Sequence, residues 1–386
     1  MSGGNGAAPK GAIFSFFSGL GILDLGFERA GFRCWMANEV HPPFARAYRY
    51  ARDRSGDAQP VSGVVEGSVS AFLSGDGRAR LLSEMRAARD ACGVVGFVGG
   101  PPCPDFSVGG KQAGRHGERG RLTEEYADLI CAARPDFFLF ENVRGLVSTA
   151  RHRAFFEEIK ARLSAAGWRL TERLANAIWY GAPQDRWRII LVGFRDDAFP
   201  AGAASRMAET FDWDSRARWR DALAAPWPTQ RPPTGEDVPW PAGLDPALEP
   251  LTAQWWFDRN RVSEHPDAGR FLKPKSPRLP TVAEGDVSRK SFKRLHRWRY
   301  SPTVAYGNNE VHLHPREPRR LTAAEAMALQ TVPRRFVLPP EMTLTDMFKS
   351  VGNGVPYLLS RAVANAVAAA LAAHGAGGAA AASARA

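Results

Sequence analysis

The chain has 386 residues, with 51 Lys and Arg against 40 Asp and Glu, so its formal net charge is +11 and its isoelectric point is about 9.8. That balance suits an anionic partner such as nucleic acid. A hydrophobic fraction of 44% with 24% charged residues excludes a largely disordered chain, and the length allows two or three domains. The most apolar stretch, residues 362–373, is Ala-dominated and shorter than the roughly 18 residues a membrane span needs, and residues 1–10 lack the charged and apolar regions of a secretory signal. Cys34, Cys92, Cys103 and Cys131 form no CxxC pair, which argues against a zinc site or a disulfide framework and for a reducing cytoplasm.

Residues 1–11 read as a disordered Gly/Ala-rich N-terminus. From 12 to 195 short apolar runs alternate with helical patterns, the rhythm of βαβ units around a parallel sheet. Strands are predicted at 12–17, 93–98, 137–140 and 188–194, with a further strand-like run at 32–37 and helices at 124–134 and 153–166. After Phe194 prolines become dense and seven of the eleven Trp fall between Trp213 and Trp298, so 196–300 reads as a separate, irregular segment. Helical patterns return at 322–330 and 356–373, and 374–386 reads as a disordered tail.

Four constellations carry chemistry. The first is an apolar strand running through Phe17 into Gly19-Leu20-Gly21 and a helix, where glycines let a ligand approach a helix N-terminus. Glu39 ends the next strand-like run, where a carboxylate can take ribose hydroxyls. Asp24 stands where a dinucleotide site would have its third glycine, so an adenosine-type ligand without a pyrophosphate fits better, although a tight turn without ligand has the same pattern. The second is Gly99-Gly100-Pro101-Pro102-Cys103-Pro104 at a strand's C-terminal end; Cys103 is either a nucleophile presented from a fixed turn or a small buried residue. Third, Glu141 in Phe140-Glu141-Asn142-Val143 ends an apolar strand, as a raised-pKa acid or as a satisfied structural carboxylate. Fourth, Gln184, Arg186 and Arg188 alternate on one face of an extended segment, aimed at one ligand or at solvent.

These motifs in this order, followed by Arg320-Leu321-Thr322, Glu325, Gln330, Pro333 and Gly352-Asn353-Gly354-Val355-Pro356, resemble the DNA (cytosine-5)-methyltransferase family. The resemblance implies an α/β fold: a Rossmann-like S-adenosylmethionine-dependent methyltransferase domain at 12–195, a small irregular target recognition domain at 196–300, and a return to the catalytic domain at 301–373 ending in a helix. It implies S-adenosylmethionine held by Phe17, Gly19, Leu20, Gly21, Glu39, Pro102, Leu122 and Asn353, with Ser68 standing where members often carry an acidic residue. Cys103 matches the nucleophile that adds to carbon 6 of a flipped cytosine, Glu141 the carboxylate on its N3 edge, and Arg186 and Arg188 the paired arginines. No metal is required. Double-stranded DNA is the implied partner, with Lys111, Arg115, Gln184, Arg289, Lys290, Lys293, Arg294 and Arg297 as its contacts. A cognate restriction endonuclease follows if the chain belongs to a restriction–modification pair rather than acting alone. A monomer near the bacterial nucleoid is expected. A tRNA cytosine methyltransferase and a silent DNA-binding module are the alternatives; the long recognition segment and Phe106-Ser107 argue against the first, the full set of key residues against the second.

Overall fold

The computed structural model describes residues 8–102, 118–230, 238–273, 276–289, 291–307 and 310–374. The first half alternates strands and helices: β1 (Ala12–Phe16), α1 (Ile22–Arg29), β2 (Arg33–Glu39), α2 (Pro42–Ser55), β3 (Val64–Glu66), α3 (Gly75–Cys92), β4 (Val95–Gly99), α4 (Glu118–Ala133), β5 (Phe137–Val143), the single turn α5 (Gly145–Ser148), α6 (Ala150–Ala165), β6 (Trp168–Asn176), β7 (Gln184–Asp185) and β8 (Trp187–Arg195). The second half holds α7 (Ala203–Glu209), α8 (Ala253–Arg259), β9 (Ser301–Pro302), α9 (Ala323–Leu329), α10 (Leu344–Asn353) and α11 (Tyr357–His374).

Seven strands form one sheet in the order β3-β2-β1-β4-β5-β8-β6. The five strands from β3 to β5 run parallel, and β8 enters antiparallel between β5 and β6. Side chains alternate between two cores, as strand geometry requires. Phe14, Phe16, Phe97, Phe138 and Phe140 pack with α3, α4 and α6 on one face, while Ile13, Val98, Phe137, Leu139 and Ile190 pack with α1, α7 and α11 on the other. Both faces being covered explains why the central strands read as continuous apolar runs. The two strands that no such run announces are β3, only three residues long, and β6, an edge strand carrying Arg169, Glu172 and Arg173.

Ala203, Ala204, Met207, Phe211, Trp213 and Ala217 belong to the α1/α11 core, so the sheet's packing runs past residue 196 to Ala217. A third core joins α2, α8, α9 and α10 through residues such as Phe44, Trp256, Met327 and Phe348. Helix α9 opens on a reciprocal cap: Thr322 Oγ1 accepts from Glu325 N–H and the Glu325 carboxylate accepts from Thr322 N–H. The stretch Leu344–His374 is long and apolar enough by composition to cross a membrane, unlike the shorter run read from the sequence, and 67% of its apolar window is buried inside the fold. Its helix α11 lies directly on α1, where Ser360 Oγ donates to Leu23 O at 2.6 Å and fills the space a side chain on Gly26 would need.

Two histidines on the return segment are buried. His314 Nδ1 accepts from the N–H groups of Arg316 and Glu317, which keeps that nitrogen unprotonated, and burial pushes its pKa down to about 4. Burial, reinforced by the charge of Lys293, pushes His312 down to about 3. Both are neutral when folded and protonate near pH 6.5 when unfolded, so the stability they contribute is present above pH 6.5 and is lost as pH falls towards 4. The loss is on the order of 2 kcal/mol for each by pH 5. Thermal unfolding of wild type and His312→Asn between pH 7.5 and 5 should show a shallower acid decline in the variant; parallel curves would exclude a titrating His312.

Candidate active site

The chain leaves β1 towards β2 and β3 and begins β4 on the other side, so the C-terminal ends of β1 and β4 flank a crevice, where open α/β sheets place their ligands. Phe17 takes a left-handed φ of 56° as it exits β1, a strain of about 1 to 3 kcal/mol of the kind that gathers at functional sites. Its half-buried ring stands edge-on to Tyr126 at 5.8 Å. Gly19 and Gly21 follow with φ of 55° and 75°, and Gly21 caps α1. Glu39, at the end of β2, holds this turn: one carboxylate oxygen accepts from Gly19 N–H and the other from His41 N–H, each at 2.8 Å. A side chain built on Gly19 or Gly67 would meet nothing within 4 Å, so open space lies beside both loops. Gly21 is different, because a Cβ there would overlap the ring of Tyr48. Leu20 is buried against α2 and the C-terminal helices, and Ser68 is exposed after β3, where it caps a helical turn by accepting from Ser70 N–H.

On the other side of the crevice, Glu141 lies within β5 rather than beyond its end, because pairing with β8 extends the strand to Val143. Glu141 faces Ile190, and Arg188 is the diagonal neighbour on the same face. Arg188 Nε meets Glu141 Oε1 at 2.8 Å, with about a tenth of each side chain exposed. Burial raises the pKa of Glu141, against the opposing charges of Arg188 and Arg186. Glu141 Oε2 sits against Gly100, so close that an added Cβ would come within 2.5 Å of it. Asn142 Nδ2 reaches Pro101 O at 3.4 Å. The carboxyl is thus wedged against the Gly-Pro-Pro turn, whose last described residue, the exposed Pro102, precedes Cys103. Cys103, Lys111, Arg115 and Lys290 lie outside the described residues.

The remaining sequence candidates divide. Gln184 is fully buried, and its amide donates to Leu329 O and Gln330 Oε1, so it is a structural residue and not a DNA contact. Arg186 is also buried: it donates to Val304 O at 2.8 Å and to Gly352 O and Gly354 O at 2.9 and 3.0 Å. It therefore grips the two carbonyls flanking Asn353, which is itself exposed at the end of α10, while Arg188 pairs with Glu141. Leu122 is half-buried at the start of α4, against the aromatic face of the sheet. In the basic stripe, Arg294 is buried and donates to Leu279, Val282, His314 and Glu317 carbonyls, and Arg297 is buried in a 2.8 Å ion pair with Glu284; neither can serve as a phosphate contact. Arg289 is exposed and Lys293 half-buried. A run of bases does not distinguish arginines that staple loop carbonyls from arginines that face solvent. Sequence reasoning missed Tyr48, whose only signal is a large polar aromatic on the apolar face of an amphipathic helix.

Gly21→Ala must displace Tyr48 and hold alanine at a positive φ. A loss of about 2 to 3 kcal/mol in denaturant unfolding is expected, while Gly19→Ala, with open space around it, should lose about 1 kcal/mol from backbone conformation alone. Equal losses would contradict the packing.

The sequence matches the C-5 cytosine-specific DNA methylase family over residues 11–369. It is 50% identical over 357 residues to the type II methyltransferase M.NmeDI of Neisseria meningitidis serogroup C, covering 92% of this chain and 83% of that protein. The type II methyltransferase M.NgoPII of Neisseria gonorrhoeae is 26% identical over 363 residues, covering 92% and 94%. Among solved structures, the Dnmt2 methyltransferase of S. pombe shares the fold with a TM-score of 0.57 at 12% identity, over 94% of this chain and 99% of its own. The Entamoeba histolytica methyltransferase EhMeth does so with a TM-score of 0.53 at 11% identity, over 94% and 98%. The chain belongs to the C-5 cytosine-specific DNA methylase family and is a DNA cytosine-5-methyltransferase.

Proposed function

We propose that the chain moves a methyl group from S-adenosylmethionine to carbon 5 of a cytosine turned out of a specific DNA sequence, with the Cys103 thiolate adding to carbon 6. The observation that carries this reading is the buried Glu141–Arg188 pair wedged against the turn that leads to Cys103, across one crevice from the Gly19/Glu39 loop.

The loop residues fit the cofactor. Each oxygen of Glu39 accepts a single backbone N–H and keeps a lone pair for a ribose hydroxyl, the room beside Gly19 and Gly67 admits a ligand, and Phe17 offers a half-buried ring for the adenine. Pro102, Leu122, Ser68 and Asn353 would complete the walls. When bound, S-adenosylmethionine supplies an electrophilic methyl group. The protein's part is to make carbon 5 nucleophilic. Addition of the Cys103 sulfur opens the C5=C6 double bond and places electron density in the ring, where Glu141 in its protonated form shares its proton with N3 and accepts from the exocyclic amine. Burial pushes the Glu141 pKa up, the direction that favours holding this proton, against the charges of Arg188 and Arg186. Arg188 orients the carboxyl and faces the O2 edge of the base. Once carbon 5 carries the methyl group, loss of its proton to a base or water expels the Cys103 thiolate and restores the C5=C6 double bond. The base has to leave the duplex to reach this site, at a cost of a few kcal/mol.

Double-stranded DNA held partly by Lys and Arg on phosphates accounts for the charge of +11 and should bind less tightly as salt rises. Arg289, Lys293, Lys111, Arg115 and Lys290 remain the candidate contacts. A bacterial cytoplasm and a cognate endonuclease fit the type II methyltransferase relatives; a monomer, and a chain acting without an endonuclease as the alternative, rest on the sequence alone.

Bisulfite sequencing of DNA from a methylation-free host expressing wild type or Cys103→Ser should leave protected cytosines in one short context with wild type only. Full conversion in both, with labelled methyl entering tRNA instead, would move the substrate to RNA. Gly100→Ala pushes the Glu141 carboxyl out of place and should lower kcat roughly 100-fold with little change in cofactor KM; an unaltered kcat would remove Glu141 from the chemistry.

A further inference from the structure

Asn38 precedes Glu39 on β2 and points to the opposite side, into the space between the loops that follow β1 and β3. It is 2% exposed. Both hydrogens of its amide are used on β3 and its exit: Nδ2 donates to Val65 O within the strand and to Gly67 O in the loop after it, each at 3.0 Å. Its main chain holds the β1 loop, because Asn38 N–H donates to Ser18 Oγ at 3.2 Å and Asn38 O accepts from Ser18 N–H at 3.0 Å. Ser18 Oγ also lies 3.1 Å from Ser15 Oγ, which donates to the fully buried Asp24 at 2.6 Å, and Tyr48 OH donates to the other Asp24 oxygen at 2.9 Å. The chain of contacts thus runs from beneath α1, under Ser18 and Gly19, across β2 to Gly67 and Ser68.

We propose that Asn38 is a positioning residue for the adenosine half of the cofactor: its carboxamide fixes the spacing between the Ser18-Gly19 loop and the Gly67-Ser68 loop, on either side of Glu39. This rests on the cofactor reading given above. Asn38 itself is turned away from the Glu39 carboxylate and need not touch the ligand. Glu39 ties the first loop through Gly19 N–H and the second through its main-chain carbonyl, which accepts from Gly67 N–H at 3.2 Å, while Asn38 adds the side-chain tie to Gly67 O and the main-chain ties to Ser18. Asn38→Asp keeps the shape and replaces the one nitrogen that makes both bonds, setting a carboxylate oxygen against the Val65 and Gly67 carbonyls and forcing the β3 exit outwards. The ligand's ribose contact at Glu39 survives while its adenine side loses its wall.

The test is calorimetric titration of the full-length protein with S-adenosylhomocysteine, together with steady-state methylation of DNA. Asn38→Asp should raise the S-adenosylhomocysteine Kd and the S-adenosylmethionine KM roughly tenfold, equivalent to about 1.4 kcal/mol, with kcat at saturating cofactor within threefold of wild type. Ser18→Ala removes a single hydroxyl from the same chain, should fold, and should raise Kd in the same direction by a smaller factor. A purely structural role would lower Tm and leave the KM-to-kcat split unmoved. Unchanged Kd in a folded Asn38→Asp, or in Ser18→Ala if Asn38→Asp does not fold, overturns the proposal, as does a fall in kcat without a rise in KM. Wild type that binds no S-adenosylhomocysteine at all would instead overturn the cofactor reading, and this inference with it.

Discussion

A carboxyl group buried beside a glycine is the constraint around which the active-site half of the molecule is arranged. Glu141 sits where water is largely excluded, and an ionised carboxylate there needs a partner or a proton. Arg188 is delivered to it by the antiparallel insertion of β8 beside β5, which makes the two residues diagonal neighbours. The opposite oxygen lies so near Gly100 that the Gly-Pro-Pro turn can approach only because that residue has no side chain. One strand pairing and one missing Cβ together bring three separate stretches of sequence to a single point.

The second support is Arg186, two residues away, whose guanidinium is committed to carbonyls of the C-terminal return. Through Val304, Gly352 and Gly354 it binds β9's exit and the turn between α10 and α11 to the strand that carries Arg188. Gln184 and Gln330 repeat the connection, since Gln184 donates to Gln330, and Gln330 donates to Val351 O and Gly354 O. The paired arginines therefore have different work. One pairs with Glu141, and the other fixes the carbonyls on either side of Asn353.

Much of this was legible in the sequence for physical reasons. Continuous apolar runs marked strands covered on both faces, and glycines, prolines and polar residues at their ends marked the loops that line the crevice. What could not be read were features created by long-range packing. The charged alternation of β6 resembles a solvated segment until β8 is beside it. Arg294 and Arg297 read as a basic surface, yet they are buried by folding around carbonyls and Glu284 that no local pattern announces. Gln184 read as a ligand contact because it alternates with Arg186 and Arg188 on one face of an extended segment, while its actual partners are about 145 residues further along the chain. Asn38 and Tyr48 carried no signal beyond polarity within apolar elements.

The contact between α1 and α11 has a consequence for how the protein comes into being. Ser360 and Leu23 are 337 residues apart, and the helices they join cover the same face of the sheet. During synthesis α1 and α7 can cover part of that face, with Ile13, Val98 and Leu139, but the part that α11 covers stays bare until residues 357–374 have left the ribosome. Closing so long a loop is entropically costly and slow, and the apolar surface it leaves bare meanwhile is the surface through which unfinished chains associate. The α1 core is therefore completed only by a helix made more than 300 residues after β1, so its closure depends on folding steps that follow synthesis of residue 374.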